Sequence, residues 1–410
     1  MPRPSERPGH SYDGTFANNI RKNMESKMIS RAARLMVAIA LVSGAPAIRG
    51  QENLRVTAYY AGWLQGEKNS GYLPAQNIDF SALTHIVHFA LVPGRDGSLN
   101  ETGNSVTEYN ANALTTRAHR AGKKVLVSVG GWGSEEAFRG ATAPALRARF
   151  IAGLVALMKS RSYDGIDVDW EPLGPADAGQ YTAFITELRS SLDRLSPRPM
   201  LTAATAWSAP VFAALKDAFD QINLMTYDLS GAWQGWVTWH NAPIYDGGLM
   251  FPGTSRTVPS SNAMVEEFLA AGVPAGKLAV GIDFYGYVWS GGTGMRSGGA
   301  TVPRESWKEP PSVEANVPYY TIMEKYYQPQ FLHWDSVAQA AYLSIDRGGS
   351  ADDRFISFDN EQTCRRKIDY ARSKGLGGVF IWELGGGYRA SMPEGERDRL
   401  LGAVREAVTR

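Results

Sequence analysis

Short runs of apolar and β-branched residues recur along the chain, and most of them are separated by stretches with helical periodicity. In those stretches apolar residues repeat every three or four positions, as on the buried face of an amphipathic helix; examples lie at 145–160, 181–195 and 263–272. The strand-like runs lie at 55–60, 85–92, 124–131, 165–170, 200–207, 222–227, 277–286 and 378–384. Eight strands alternating with helices predict an α/β fold, a (β/α)8 TIM barrel closed by a last helix at 395–409.

One segment between the seventh and eighth runs differs from the rest of the chain in its amino-acid composition. Residues 287–356 are rich in Gly, Pro and Tyr and contain short strand-like pieces at 317–322 and 354–358. A TIM barrel needs only about 250 residues, so the chain has residues to spare. We therefore predict an α+β subdomain inserted between strands 7 and 8, within a catalytic barrel domain that spans 51–410.

The first fifty residues do not follow the barrel pattern. Residues 1–27 are polar and lack apolar periodicity, so we expect a disordered N-terminal extension. Residues 28–50 combine a basic stretch, an apolar run and small residues at 45–47, which is the order of a secretory signal peptide. The apolar run at 35–44 is too short to cross a bilayer. We expect a secreted protein, extracellular or periplasmic, with no membrane association after cleavage; the alternative is a short hydrophobic anchor.

Charge and cysteine content exclude several classes of protein. Lys and Arg number 42 and Asp and Glu 41, so no overall positive field attracts nucleic acid. The single cysteine, Cys364, excludes an intrachain disulfide framework and a multi-cysteine metal site. His85 and His88 would face opposite sides of their strand, and His240 is expected to order a loop. We predict no metal, no cofactor, no nucleic-acid partner and a monomeric protein.

Candidate catalytic residues are most concentrated in YDGIDVDWE, residues 163–171. Because side chains alternate along a strand, Asp167, Asp169 and Glu171 share one face, and in a barrel that face points inward. Three neighbouring carboxyl groups raise at least one pKa, which keeps a general acid protonated near neutral pH. Glu171 ends the series at the C-terminal end of its strand, where barrel active sites lie. The alternative is three solvated acids on an edge strand.

These residues resemble a known family. YDGIDVDWE is similar to the DGxDxDxE signature of the glycoside hydrolase family 18 chitinases. Further motifs follow in the family's order, namely SVGGW (128–132), MTYD (225–228), FYG (284–286) and GVFIWEL (378–384). The resemblance covers about residues 54–408. Two positions depart from it: Tyr287 stands where the family often has Arg, and Asp283 stands where Pro is common.

The resemblance implies a retaining, substrate-assisted reaction in which the 2-acetamido oxygen of the sugar attacks C1. Glu171 would protonate the glycosidic oxygen and then activate water. Asp169 would accept the acetamido N–H, and Asp167 would share a proton with Asp169. Tyr227 would hydrogen-bond the acetamido carbonyl oxygen, and Trp382 would form an apolar floor under that sugar. The substrate-binding residues implied in this way are Tyr59, Phe89, Gly131, Trp132, Met225, Asp228, Tyr285 and Trp382.

Three functions remain open at this point. The first is a secreted chitinase that cleaves β-1,4 bonds between N-acetylglucosamine units, with chitin or chitooligosaccharides as its partners. The second is an endo-N-acetylglucosaminidase on N-glycans, or a peptidoglycan hydrolase, with the same chemistry. The third is a chitin-binding lectin on the same fold, which would have lost its terminal acid; Glu171 is present.

Overall fold

A computed structural model describes residues 54–349 and 351–410. The predicted extension at 1–27 and signal peptide at 28–50 lie outside the described residues. In the described part, eight parallel strands hydrogen-bond into a closed ring, in which β1 pairs with both β2 and β14. The ring consists of β1 (Arg55–Ala61), β2 (His85–Pro93), β4 (Lys124–Trp132), β5 (Gly165–Glu171), β6 (Met200–Thr205), β7 (Gln221–Leu224), β8 (Leu278–Asp283) and β14 (Gly378–Trp382). A two-residue strand, β3 (Leu99–Asn100), pairs antiparallel with the end of β2. The predicted (β/α)8 barrel is confirmed.

Helices connect most consecutive ring strands. They are α1 (Gly62–Gln65), α2 (Glu108–Arg120), α3 (Glu135–Ala141), α4 (Arg147–Ser160), α5 (Ala178–Asp193), α6 (Ala209–Ala214), α7 (Ser261–Ala270), α8 (Tyr319–Lys325), α9 (Glu361–Ser373), α10 (Leu384–Gly387) and α11 (Arg399–Val408). Side-chain caps mark several starts, since Thr107, Ser260 and Asn360 each accept a first-turn N–H. No helix in the described ranges is long and apolar enough to cross a membrane.

The apolar side of β5 shows which way its two faces point. Ile166, Val168 and Trp170 are buried in the large core between strands and helices. The Trp170 ring stacks on Phe138 of α3, with ring centroids 4.6 Å apart. Because side chains alternate along the strand, the carboxyl groups between these residues point into the barrel.

The insertion between β8 and β14 is confirmed as an α+β unit. Its antiparallel sheet has the order β10-β9-β13-β12-β11 and carries helix α8. The strands are β9 (Tyr285–Ser290), β10 (Ser312–Pro318), β11 (Leu332–Asp335), β12 (Ala340–Ile345) and β13 (Arg354–Phe358). The sheet begins two residues before 287 and ends two residues after 356.

Three predicted strands are longer in the sequence than in the structure. The run at 277–286 is split at Phe284, whose N–H still donates to Trp382 of the ring while Gly286 already pairs with β10 and β13. The runs at 200–207 and 222–227 end at Thr205 and Leu224. Beyond Leu224 and at Phe284 the chain remains buried after it has left the ladder, whereas Trp207, beyond Thr205, is exposed.

A long connection, residues 225–260, joins β7 to α7 and rests on the insertion. His240 fixes this contact: its Nε2 lies 2.9 Å from Asp335 and its Nδ1 lies 3.3 Å from Ser357. Burial lowers the pKa of His240, which disfavours its charged form. The histidine thus orders the loop, as predicted. Cys364, on α9, is buried and unpaired.

Candidate active site

Hydroxyl groups from three ring strands surround Asp167. Ser128 on β4 and Thr202 on β6 are in register with Asp167 on β5, so the three lie side by side across the barrel. Ser128 Oγ donates to Asp167 at 2.9 Å and Thr202 Oγ1 at 2.6 Å. Tyr59 on β1 donates from the opposite wall at 3.1 Å. Asp167 is therefore fully buried but has hydrogen-bond donors on several sides.

A chain of polar side chains continues from Tyr59 to the base of the barrel. Asn223 Nδ2 donates to the Tyr59 hydroxyl at 3.0 Å, and Gln221 Nε2 donates to Asn223 Oδ1 at 2.6 Å. Gln221 also donates to Thr57 at 2.9 Å. Tyr59 was predicted to bind substrate; its ring is buried, and its hydroxyl is directed to Asp167 instead. It therefore acts on the carboxyl group and not on an open surface.

The three carboxyl groups of β5 differ in exposure along the strand. Asp167 and Asp169 are buried, whereas Glu171 is partly exposed at the strand end. The main-chain carbonyl of Glu171 accepts the N–H groups of Gly133 and Ser134 at 3.0 Å each. Trp132 is in register with Glu171 on the neighbouring strand. The last carboxyl group is thus the one that reaches the mouth of the barrel, on a fixed backbone.

Burial raises the pKa of Asp167 to about 6, although the hydrogen bonds from Thr202, Ser128 and Tyr59 favour its ionised form. The ordinary value is 3.8. Asp167 therefore keeps its proton in mildly acidic solution. One carboxyl group of the three thus has a raised pKa, as predicted, but the cause is desolvation and not the neighbouring acids.

This pKa has a consequence for stability. We expect the free energy of unfolding of the wild type to fall, relative to Asp167→Asn, as pH rises from about 4 to about 7. The folded-state pKa lies above the unfolded one, so the stabilisation is complete below pH 3.8 and is lost as pH rises through 6. A shift of this size corresponds to roughly 3 kcal/mol. Urea unfolding at both pH values measures it, and a difference that does not change with pH would contradict it.

Apolar and aromatic side chains line the same end of the barrel. Seven of them belong to one cluster, separate from the main core: Tyr59, Phe89, Met225, Tyr227, Tyr285, Tyr287 and Trp382. The ring of Trp382 meets Phe89 edge to face, with centroids 4.7 Å apart, and lies 5.6 Å from Tyr59. Trp382 is only partly buried and stands at the end of β14. The structure thus brings these predicted residues together in one cluster.

Two glycines make room for this cluster. Gly131 has a φ of 108°, and a Cβ at this position would lie 3.0 Å from the Phe89 ring. A Cβ on Gly281 would lie 2.8 Å from the ring of Tyr227. Larger residues at either position would displace an aromatic ring. Gly131 therefore shapes the site by having no side chain.

Asp228 is held by the two tyrosines of β9. Tyr285 donates to Asp228 Oδ1 at 2.6 Å and Tyr287 donates to the same oxygen at 2.9 Å. Its backbone is left-handed, with a φ of 59°, which costs a non-glycine residue about 1 kcal/mol. Its N–H donates to Asn241 Oδ1 at 3.1 Å. Tyr287, which departs from the family's usual Arg, is thus part of the site through this carboxylate.

The comparison with known families decides what kind of site this is. The sequence profile described as "Glycosyl hydrolases family 18" matches residues 55–387, most of the chain. The protein belongs to glycoside hydrolase family 18. The family resemblance predicted from the sequence is confirmed, and with it the class of enzyme, a glycoside hydrolase related to chitinases.

Individual relatives agree with this family. The chain is 33% identical to chitinase A1 of Niallia circulans over 298 residues, 64% of this chain but only 40% of that protein. It is 27% identical to endochitinase 1 of Metarhizium robertsii over 357 residues, covering 79% and 80% of the two chains. The crystal structure of Ostrinia furnacalis Group IV chitinase in complex with allosamidin matches with a TM-score of 0.72 and 25% identity, covering 87% of this chain and 99% of that chain.

The second departure from the family 18 pattern also has a structural account. Asp283, at the end of β8, lies in a fully buried ion cluster with Lys367 of α9 and Asp359, which follows β13. Lys367 Nζ lies 3.1 Å from Asp283 and also pairs with Asp359. Burial and the negative charge of Asp283 raise the pKa of Asp359 well above its usual value. Lys367 thus lies between two buried carboxyl groups.

Sequence reasoning missed three residues of this family 18 site. In the sequence, Ser128 was noted only as part of the motif at 128–132 and Thr202 only as part of the strand-like run at 200–207, yet both hydrogen-bond to Asp167. Trp63 on α1 is 47% exposed and meets Phe89 edge to face, with centroids 5.9 Å apart. It extends the aromatic surface of Phe89 and Trp382 outward from the barrel. The available signal was its place four residues after Tyr59, just beyond the first strand.

Proposed function

We propose that the protein is a secreted chitinase that hydrolyses β-1,4 bonds between N-acetylglucosamine units with retention of configuration. The observation that carries this proposal is the face of β5 on which Asp167, Asp169 and Glu171 follow one another from the buried interior to the mouth. Only Glu171 is accessible at that mouth, and a partly exposed tryptophan stands at the end of β14. The names of the relatives, chitinase A1 and endochitinase 1, support chitin as the substrate class.

In this mechanism Glu171 protonates the glycosidic oxygen while the 2-acetamido oxygen of the substrate attacks C1. The hydroxyl of Tyr227 orients the acetamido carbonyl, and Asp169 accepts its N–H and stabilises the positive oxazolinium intermediate. Glu171 then activates water, which attacks C1 and regenerates the acid. Asp167, neutral below pH 6, can exchange a proton with Asp169 without bringing a second charge into the interior.

The apolar cluster has a separate task, which is to bind the sugar rings. Trp382 offers its exposed face to the C–H side of the reacting sugar, with Phe89 behind it. Trp63 continues this surface toward the preceding sugar units. Trp132, Met225, Asp228 and Tyr285 complete the substrate contacts in the proposal, and Gly131 leaves room for Phe89.

A product profile tests this function. We expect soluble chitin oligomers of several lengths to be cut into shorter N-acetylglucosamine oligomers, while N-glycans and peptidoglycan remain intact under the same conditions. The α+β insertion and the aromatic surface fit a long uniform chain of one sugar. Faster release of N-glycans, or cleavage of peptidoglycan, would move the protein to the second candidate function.

Secretion is tested on the exported protein. If residues 28–47 are a signal peptide, mass spectrometry of protein exported by a Sec-competent host will find a new N-terminus near Ile48 to Gln51. A chain that starts at Gln51 will be as active as the secreted form, because β1 begins only at Arg55. An intact N-terminus on the exported protein would contradict this prediction.

A further inference from the structure

The segment that carries Tyr227 and Asp228 needs support that its own strand does not give. β7 ends at Leu224, so both residues lie beyond the last strand pair. Asp228 also has a left-handed backbone, with a φ of 59°. Residues other than glycine stay in that conformation only where the surroundings fix it. The fixing contacts must come from neighbouring segments.

Asn241 provides two of these contacts. Its side-chain Oδ1 accepts the N–H of Asp228 at 3.1 Å, and its main-chain carbonyl accepts the N–H of Leu229 at 3.0 Å. Asn241 is fully buried, so a lost bond could not be replaced easily by one to bulk water. One residue therefore holds two successive N–H groups of the left-handed turn.

The side chain of Asn241 is itself oriented by a hydrogen bond to Asp283. Its Nδ2 donates to Asp283 Oδ2 at 2.6 Å. An ionised carboxylate only accepts hydrogen bonds, so the amide must turn its NH2 toward Asp283 and its oxygen toward Asp228. Asp283 Oδ1 also pairs with Lys367 Nζ at 3.1 Å, and both side chains are buried. The NH2 of Asn241 thus faces the carboxyl group that Lys367 also contacts.

We propose that Asn241 is a positioning residue for the reaction, and that the buried Asp283–Lys367 ion pair sets its orientation. This inference rests on the proposed function, in which Tyr227 and Asp228 contact the sugar. The ion pair is fully buried, and in this proposal it acts on the substrate only through Asn241. The ion pair orients the side-chain amide of Asn241, and this amide holds the backbone segment to which the Tyr227 side chain is attached.

The contacts among Asn241, Asp283 and Lys367 also connect the insertion to the backbone of Tyr227 and Asp228. Asp359, which follows β13, pairs with Lys367 and accepts the N–H of Asp283 at 3.2 Å. The main-chain N–H of Asn241 donates to Ser357 of β13 at 2.9 Å. The root of the insertion and the Tyr227–Asp228 segment therefore share one anchor, and a shift of the returning strand would be passed to the reaction centre.

Two single variants disrupt the hydrogen bonds of the Asn241 side chain in different ways. Asn241→Ala removes both side-chain bonds. Asn241→Asp keeps an acceptor for Asp228 but loses its donor and faces Asp283 with a second carboxylate. We expect kcat on a soluble chitin oligomer to fall about 10- to 100-fold in both, as for a displacement of about 1 Å, with a smaller change in KM. Wild-type kcat in either folded variant would overturn the inference.

A double variant tests the role of orientation directly. In Asn241→Asp/Asp283→Asn the donor and acceptor exchange places: the new amide can donate to residue 241 and accept from Lys367. We expect kcat to recover to within about fivefold of wild type, which is the non-additivity of residues that act as a pair. A double variant no faster than Asn241→Asp would overturn the proposed orientation.

A matched control separates positioning from general loss of stability. Asn110 is also fully buried, and its Nδ2 donates to the carbonyls of Gly66 and Ser105. Asn110→Ala should lower the melting temperature but leave kcat within about twofold, since it breaks comparable buried bonds elsewhere. An equal fall of kcat in this control would assign the effect of Asn241→Ala to stability and overturn the inference.

Failure of the proposed function would be visible in the wild type, which would then leave chitin oligomers intact. The inference would still be tested by crystal structures of the wild type and Asn241→Ala. Asp228 leaving the left-handed region in the variant supports the positioning role. An unchanged Asp228 overturns it, whatever the substrate is.

Discussion

Glu171→Gln will reduce turnover of chitin oligomers by at least about 10²- to 10⁴-fold, the range that general acid catalysis contributes. The substitution keeps the size and hydrogen-bonding capacity of the side chain but removes its transferable proton. Glu171 is the carboxyl group of β5 that reaches the mouth of the barrel, while Asp167 and Asp169 are buried. Neither of these can take over the protonation of a glycosidic oxygen at the mouth.

Substrate binding should survive this change, because the aromatic surface of Trp382, Phe89 and Trp63 remains intact. Initial-rate kinetics together with calorimetric titration of a chitin oligomer into the variant would measure both effects. Glu187→Gln is the matched control: Glu187 lies on α5, pairs with Arg147 on α4 and is remote from the mouth. Activity of Glu171→Gln within tenfold of wild type would remove Glu171 from its role as the acid.

The second large effect concerns the substrate. Oligomers of fully deacetylated chitosan and of cellulose should not be cleaved, even though their backbones have a similar shape. Asp169 and Glu171 are two positions apart on one strand, about 6–7 Å along it, and approach the sugar from the same side. A direct nucleophile must attack C1 opposite the leaving group, so Asp169 cannot do so while Glu171 protonates that group. The nucleophile must then come from elsewhere, and in the proposed mechanism it is the acetamido oxygen of the substrate.

Partly deacetylated chitosan offers the matched comparison within one polymer. Cleavage should occur only after N-acetylated units, and early products should retain their anomeric configuration, as followed by NMR. A thiazoline mimic of the cyclic intermediate should inhibit competitively. Initial inversion, or efficient cleavage after a glucosamine unit, would exclude the substrate-assisted mechanism but would not affect the fold.

Local sequence patterns were sufficient to predict the barrel and the placement of the carboxyl groups on β5. Alternation along β5 places Asp167, Asp169 and Glu171 on one face, and the apolar residues between them specify the other. The predicted strand ends are wrong where the apolar pattern continues past the last paired residue of the strand. Met225 and Tyr227 extend the apolar run of β7 because they are buried in the barrel cluster, although they no longer belong to the ladder.

Contacts between distant segments could not be read from the sequence. Thr202 joins Asp167 because β6 pairs with β5 in one particular register, and the sequence of either strand alone does not set that register. Lys367 and Asp283 are 84 positions apart and meet only because α9 packs behind the end of β8. Both departures from the family pattern, Asp283 and Tyr287, are explained by such partners.

The buried thiol of Cys364 makes the protein well suited to site-specific spectroscopy. It is the only cysteine in the chain, and burial raises its pKa well above the usual value, so the reactive thiolate is scarce. A cysteine introduced at an exposed position would react almost alone with a maleimide dye. Tyr109→Cys on α2 and Val337→Cys beyond β11 provide such positions, as both side chains are more than half exposed. Energy transfer between two dyes at these positions would report directly whether the insertion moves against the barrel when an oligosaccharide binds.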